Sequence, residues 1–213
     1  MNKKHILCFG DSNTWGYCAQ TGGRYEDDVR WTMQLSHRLG EDCLVIEEGL
    51  NGRTTVFEDP LNEGLCGLSM LTPILLSHAP LDLMVLMLGT NDCKQRFAAT
   101  AFKIKDGLMR LVKKARQTQA WRAEPRILIV APIVIDRRLY SVLANAQGMG
   151  EGCAEKSEQL PELFRAAAEE SGCFFLDCNP YVTPAEGDFM HFDLGSNRRF
   201  TEAIEEKIGE IML

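Results

Sequence analysis

Ser12 stands in Gly10-Asp11-Ser12-Asn13, directly after the apolar run Ile6-Leu7-Cys8-Phe9, so its hydroxyl falls at the C-terminal end of a predicted first strand. Chemistry in open α/β sheets collects at that edge. Gly10 lets the chain bend sharply, and a helix starting nearby offers free N–H groups to an anion. A serine hydroxyl needs a base to take its proton and donors to hold the oxyanion that forms on attack. Of the four histidines, His5 opens the first strand, His37 falls in an amphipathic helical stretch and His78 precedes Ala79-Pro80. Only His191 has an acidic neighbour in a loop-like setting, in Asp188-Phe189-Met190-His191. One tight turn at that spacing can aim the carboxylate at the ring. Imidazole titrates near neutrality, so it can accept and return a proton.

Two further segments offer donors. Glu48-Gly49-Leu50-Asn51-Gly52-Arg53-Thr54-Thr55 follows the apolar Leu44-Val45-Ile46, and its glycines permit close backbone approach, so the Gly52 N–H can point at developing negative charge. Gly89-Thr90-Asn91-Asp92 follows the run from Asp82 to Leu88, and the Asn91 amide is a neutral donor suited to the same task. Each block alone has an ordinary reading as a cap, an Asx-turn or a flexible turn. Four such blocks at one sheet edge define a site.

In that order and spacing, G-D-S-N, G-L-N-G-R-T-T, G-T-N-D and D-x-x-H, spread over residues 10–191, resemble the SGNH hydrolases of the GDSL esterase superfamily. The resemblance implies Ser12 as nucleophile, His191 as base and Asp188 as its orienting partner. It also implies an oxyanion hole built from the Ser12 and Gly52 backbone N–H groups and the Asn91 side chain. Cys8-Phe9-Gly10-Asp11-Ser12, Val29-Arg30-Trp31-Thr32, Val45-Ile46-Glu47-Glu48-Gly49-Leu50 and Met87-Leu88-Gly89-Thr90-Asn91-Asp92 are similar to the arylesterase and acyltransferase branch. That branch acts on short acyl esters and often forms oligomers, so a small ester substrate and a homo-oligomer are expected. Two positions depart from the family pattern. Asn13 replaces the usual Leu beside the nucleophile, and Phe192-Asp193 follows His191. Asn13, Trp15 and Phe192 are therefore the expected substrate-pocket residues, Trp15 and Phe192 forming a tight acyl pocket.

Strand-like runs near 5–10, 43–48, 82–88, 126–131 and 173–176 alternate with helical spacing near 29–39, 67–78, 99–120, 155–171 and 196–212. Such alternation calls for an α/β protein with a parallel sheet covered on both faces, a three-layer α/β/α sandwich. Right-handed crossovers then bring positions 12, 52 and 91 to one edge. The family resemblance, not the pattern, adds a flavodoxin-like five-stranded sheet of order 2-1-3-4-5. Residues 13–28 and 132–154 escape the alternation as long loops, expected either to wall the substrate pockets or to serve as mobile surface or oligomer contacts.

The 213 residues, 45% of them hydrophobic, are read as a single domain spanning 1–213. A formal charge of -7 opposes binding to nucleic acid. Eight cysteines, several within apolar strands and with no secretory leader ahead of them, suggest reduced thiols and a cytoplasmic setting. Cys93, beside Asn91, reads as a packing residue. No Cys-x-x-Cys pair or zinc-spaced histidine argues for a metal, and no run of about 20 apolar residues argues for a membrane span. The first turn lacks the glycines and lysine of dinucleotide and P-loop sites, so no cofactor is expected. Ser12 also lacks the Gly-x-Ser-x-Gly elbow of α/β-hydrolases. The expected activity is acyl-ester hydrolysis or transfer through a covalent intermediate. The alternatives are a carbohydrate O-deacetylase and a non-catalytic binding domain on the same scaffold.

Overall fold

The computed structural model describes residues 3–142 and 148–212. Five strands, β1 (Lys4–Gly10), β2 (Cys43–Gly49), β3 (Leu83–Met87), β4 (Ile127–Ala131) and β5 (Phe174–Asp177), form one sheet of order β2-β1-β3-β4-β5. Every neighbouring pair is parallel. The strand order is the one that the family resemblance implies. The helices among the described residues are α1 (Ser12–Trp15), α2 (Trp31–Leu39), α3 (Gly67–Ser77), α4 (Ala101–Gln117), α5 (Leu139–Val142), α6 (Cys153–Ser157), α7 (Leu160–Ser171) and α8 (Leu194–Met212).

Side chains alternate across a pleated strand, so a strand covered on both faces must be apolar throughout. Leu7 and Phe9 of β1, Met84 and Leu86 of β3, and Ile127, Ile129 and Ala131 of β4 pack under α3, α4 and α7. Their neighbours Ile6, Cys8, Leu83, Val85, Met87, Leu128 and Val130 face α2 and α8, where Trp31, Leu35, Phe200 and Ile204 complete a second core. Two cores on either side of one sheet make the three layers.

One predicted helix differs. The stretch 155–171 is broken into α6 and α7, with Pro161 in the first turn of α7. Proline has no N–H to donate back to the carbonyl four residues earlier, here Ser157 at the end of α6, and its ring crowds that carbonyl, which favours ending one helix there and starting a new one with Pro161 in its first turn.

The register decides what meets at the sheet edge. Gly10 of β1 lies opposite Gly49 of β2 and Met87 of β3, so the three strands end at one level and the segments after them emerge side by side. Gly10 is required by close approach, because a Cβ there would stand 2.0 Å from Thr14 Oγ1. Among the described residues no helix is long and apolar enough to cross a membrane.

Phe200 is fully buried, edge-on to both Trp31 (ring centroids 5.1 Å apart) and Phe192 (5.5 Å). Phe200→Ala is expected to lower unfolding free energy by about 3–5 kcal/mol, read from the urea midpoint at unchanged slope.

Candidate active site

Ser12 opens α1, a single turn whose N-cap is Asp11: its Oδ1 accepts from the Asn13 N–H at 3.0 Å. Gly16, in left-handed conformation, ends the turn. The nucleophile candidate thus sits on a short, capped helix rather than in a free loop. Trp31 of α2 donates from Nε1 to the Asn13 carbonyl at 3.0 Å and ties that turn to the second core.

The histidine comes from the chain ahead of α8. Asp188 caps its own turn, its Oδ1 accepting from the N–H groups of Met190 and His191 at 3.1 Å each. Its other oxygen, Oδ2, accepts from His191 Nδ1 at 2.7 Å, which leaves Nε2 as an acceptor. Ser12 Oγ lies 2.7 Å from that Nε2. Burial alone would raise the Asp188 carboxyl, but the ring bond, the imidazole charge and the two backbone donors outweigh it and hold the carboxyl below the usual range.

Donors collect opposite. Gly52 has φ +84°, a conformation that suits glycine, and its turn is anchored by Arg53, which donates from Nη1 to the Gly10 carbonyl at 3.0 Å and also reaches the Glu48 carbonyl. Burial pushes the Arg53 guanidinium down to about 10. Asn91 donates one amide N–H to the Arg53 carbonyl at 3.1 Å, which fixes the amide and leaves its second N–H available. Neither the Ser12 N–H nor the Gly52 N–H donates to an acceptor among the described residues. Asp92, fully buried, bonds the Thr55 N–H at 2.9 Å and the Thr55 hydroxyl, so the Gly52 and Asn91 segments are riveted together twice.

A cavity of about 200 Å³ opens beside Ser12, lined by Tyr17, Gly52, Thr90, Asn91, Lys94, Met149, Met190 and His191 as well. The expected pocket residues Asn13, Trp15 and Phe192 do not line it. Asn13 instead accepts the Phe192 N–H on Oδ1 at 2.9 Å and donates to the Met190 carbonyl at 3.4 Å, strapping the histidine segment to α1. Phe192 points into the second core against Phe200, because successive residues of extended backbone face opposite ways and His191 faces the cavity. The Trp15 ring lies under the Arg24 guanidinium, 5.1 Å from its centroid. The two long loops each lend a wall residue. Tyr17 packs its ring 4.4 Å from that of His191, and Met149 comes from the second loop, whose residues 143–147 lie outside the described ones. A larger cavity of about 360 Å³ at Tyr140, Gly150 and Glu155 holds none of these groups.

Tyr17 and Met149 lie in the two loops expected to wall the pockets, whereas Lys94 and Met190 were not read as wall residues. Only Lys94 had a local signal, since it follows Asn91 by one 3₁₀ turn. Cys93 is fully buried in the first core, and burial pushes its thiol upward, which fits the packing reading. Among the described residues no three His, Cys, Asp or Glu side chains gather as metal ligands do.

A hydroxyl, an imidazole and a carboxylate in hydrogen-bonded series beside free N–H donors, on a 2-1-3-4-5 sheet, define a serine-hydrolase type of site. Residues 8–196 match the GDSL-like Lipase/Acylhydrolase family, and the chain belongs to that family. A carbohydrate acetylesterase family member from Sinorhizobium meliloti is 38% identical, with a TM-score of 0.89 over 96% of this chain and 97% of its own. The native aryl esterase of M. smegmatis is 35% identical, with a TM-score of 0.87 over 97% of this chain and 99% of its own. A comparison with curated proteins gives no significant match. Family and neighbours together place the chain in the arylesterase branch of the SGNH hydrolases and make it a carboxylic ester hydrolase.

Asp92 sets a pH dependence. Burial lifts its carboxyl from 3.8 to about 6 against the opposing pull of the Thr55 bonds, and the nearby Asp11 charge adds to the rise. Between those values the folded chain keeps a proton that the unfolded chain has lost. The contribution is therefore full below 3.8 and is lost as the pH rises through about 6. Urea unfolding from pH 3.5 to 7 is expected to show a fall on the order of a few kcal/mol that Asp92→Asn removes.

Proposed function

We propose that this chain hydrolyses short-chain carboxylic esters, or passes their acyl group to an alcohol, with Ser12, His191 and Asp188 as a catalytic triad. The observation that carries the reading is the 2.7 Å approach of Ser12 Oγ to His191 Nε2, whose far nitrogen is held by Asp188. Ser12 Oγ attacks the ester carbonyl carbon while His191 Nε2 takes its proton, and the carbonyl electron pair moves onto oxygen. The Ser12 N–H, the Gly52 N–H and the free Asn91 N–H meet that oxyanion, and Asp188 stabilises the imidazolium. As the oxyanion collapses, the C–O bond to the alcohol breaks and His191 returns the proton to the departing oxygen. Water, activated by the same ring, then attacks the acyl-serine and releases the acid; an alcohol in its place takes the acyl group.

The small cavity of about 200 Å³ supports short acyl chains. A carbohydrate O-deacetylase is the second reading, favoured by the likeness to the S. meliloti acetylesterase at 38% identity. Acetylated sugars turned over much faster than aryl acetates would select it. A non-catalytic binding domain would instead fail to be labelled at Ser12 by a serine-reactive phosphonate. We further propose that residues 1–213 act as one domain in a reducing, cytoplasmic setting, which the eight free thiols support. Self-association is part of the proposal too. It rests on the resemblance to a branch that often forms oligomers, and sedimentation at working concentration reads the outcome.

Ser12→Ala is expected to abolish turnover of p-nitrophenyl acetate while the circular dichroism spectrum stays native. Asn91→Ala should lower kcat about 10²–10³-fold, the loss of one oxyanion donor, with KM much less affected. Full activity in either variant defeats this reading.

A further inference from the structure

The cavity holds one charged side chain that the reaction does not use. Lys94 is only 7% exposed, lines the cavity, and forms no hydrogen bond or ion pair from its ammonium to any described residue. Its stem is buried while its ammonium, not among the fully enclosed atoms without a partner, reaches the solvent of the cavity, and a cation held there unpaired is placed to meet an anion. The nearby carboxylates are not that anion. Asp59 is paired with Arg96 at 2.7 Å, Asp92 bonds Thr55, and Asp11 accepts the Asn13 N–H on Oδ1; the Asp11 Oδ2 is enclosed without a partner, and all three carboxylates act on Lys94 through space without bonding its ammonium. No carboxylate lines the cavity.

The backbone ties Lys94 to the chemistry. Its N–H donates to the Asn91 carbonyl at 3.2 Å, so the ammonium stems from the turn that carries the oxyanion donor. The oxyanion is already met by three N–H groups, which leaves the ammonium for another oxygen of the substrate. Burial and the Arg96 charge lower the Lys94 pKa, and a bound anion would reverse that by restoring a counter-charge.

We propose that Lys94 is the specificity-determining residue of this cavity, reading a carboxylate carried by the ester close to its scissile bond. The inference rests on the ester-hydrolase reading of the same site. The carboxylate can belong to the acyl part or to the alcohol part, and the test separates the two.

For the acyl side, kcat/KM is compared for 4-nitrophenyl hydrogen succinate and 4-nitrophenyl methyl succinate. For the alcohol side, the pair is 4-acetoxybenzoate and methyl 4-acetoxybenzoate. In one pair Lys94→Met is expected to lower the anionic-to-neutral ratio about 10–100-fold, the range of one charged hydrogen bond. Ratios unchanged in both pairs overturn the proposal, whether the individual rates fall together or not at all. A second arm needs no turnover. Calorimetry on Ser12→Ala with 4-acetamidobenzoate and succinanilate, amide analogues of the two anionic esters, should show tighter binding than their neutral methyl esters. Adding Lys94→Met should remove that preference, and its persistence overturns the proposal. Absence of all ester turnover beside a Lys94-dependent carboxylate preference would sink the hydrolase reading alone. Turnover with unchanged ratios would sink this inference alone.

Discussion

The hydrogen bond from Ser12 Oγ to His191 Nε2 joins residues 179 positions apart, and the rest of the site has meaning only if it holds. Closing so long a loop costs conformational entropy that one bond cannot offset. The surrounding structure supplies the difference. β1 and α1 present the serine, α8 docks on the second core through Phe200 and Ile204, and Asn13 grips the chain on both sides of His191. Each of these contacts is short-range and buried, so the pair is placed by packing before any substrate arrives.

Burial sets the electrostatics of the site. Asp188 is kept ionised because its donors outweigh the cost of leaving water, and its charge fixes the tautomer of His191. Asp92 accepts as many bonds, but all from neutral Thr55 groups and beside the Asp11 charge rather than an imidazole, and the balance falls the other way. The Lys94 ammonium makes no hydrogen bond or ion pair among the described residues. Three charged groups within one site therefore differ in their surroundings: Asp188 orients the ring, Asp92 attaches two loops, and Lys94 is the residue proposed to meet a substrate anion.

The sheet edge and the loops divide the work. Strand register brings Ser12, Gly52 and Asn91 to one level, which is a property of the scaffold shared with the S. meliloti acetylesterase and the M. smegmatis aryl esterase at TM-scores of 0.89 and 0.87. The walls of the cavity come from Tyr17, Lys94, Met149 and Met190, which lie outside the strands. On the proposed function, reaction type follows the sheet and substrate choice the connections, where sequence can change without disturbing the core.

Strand and helix positions were legible because apolar runs and helical periodicity are local; the break ahead of α7 at Pro161 was not read from that periodicity. The reactive residues were legible for a related reason: few residue types can serve as nucleophile or base, and only His191 had an acidic neighbour in a loop-like setting. What the chain alone determined is which side chains are available for the chemistry and in what kind of layer they must be carried. Tertiary structure alone decided where side chains such as Asn13, Phe192 and Lys94 point. Asn13 became a strap and Phe192 a core residue, while Lys94 came to face the cavity. The direction of a side chain depends on partners far away in sequence, and those partners exist only once the chain has closed on itself.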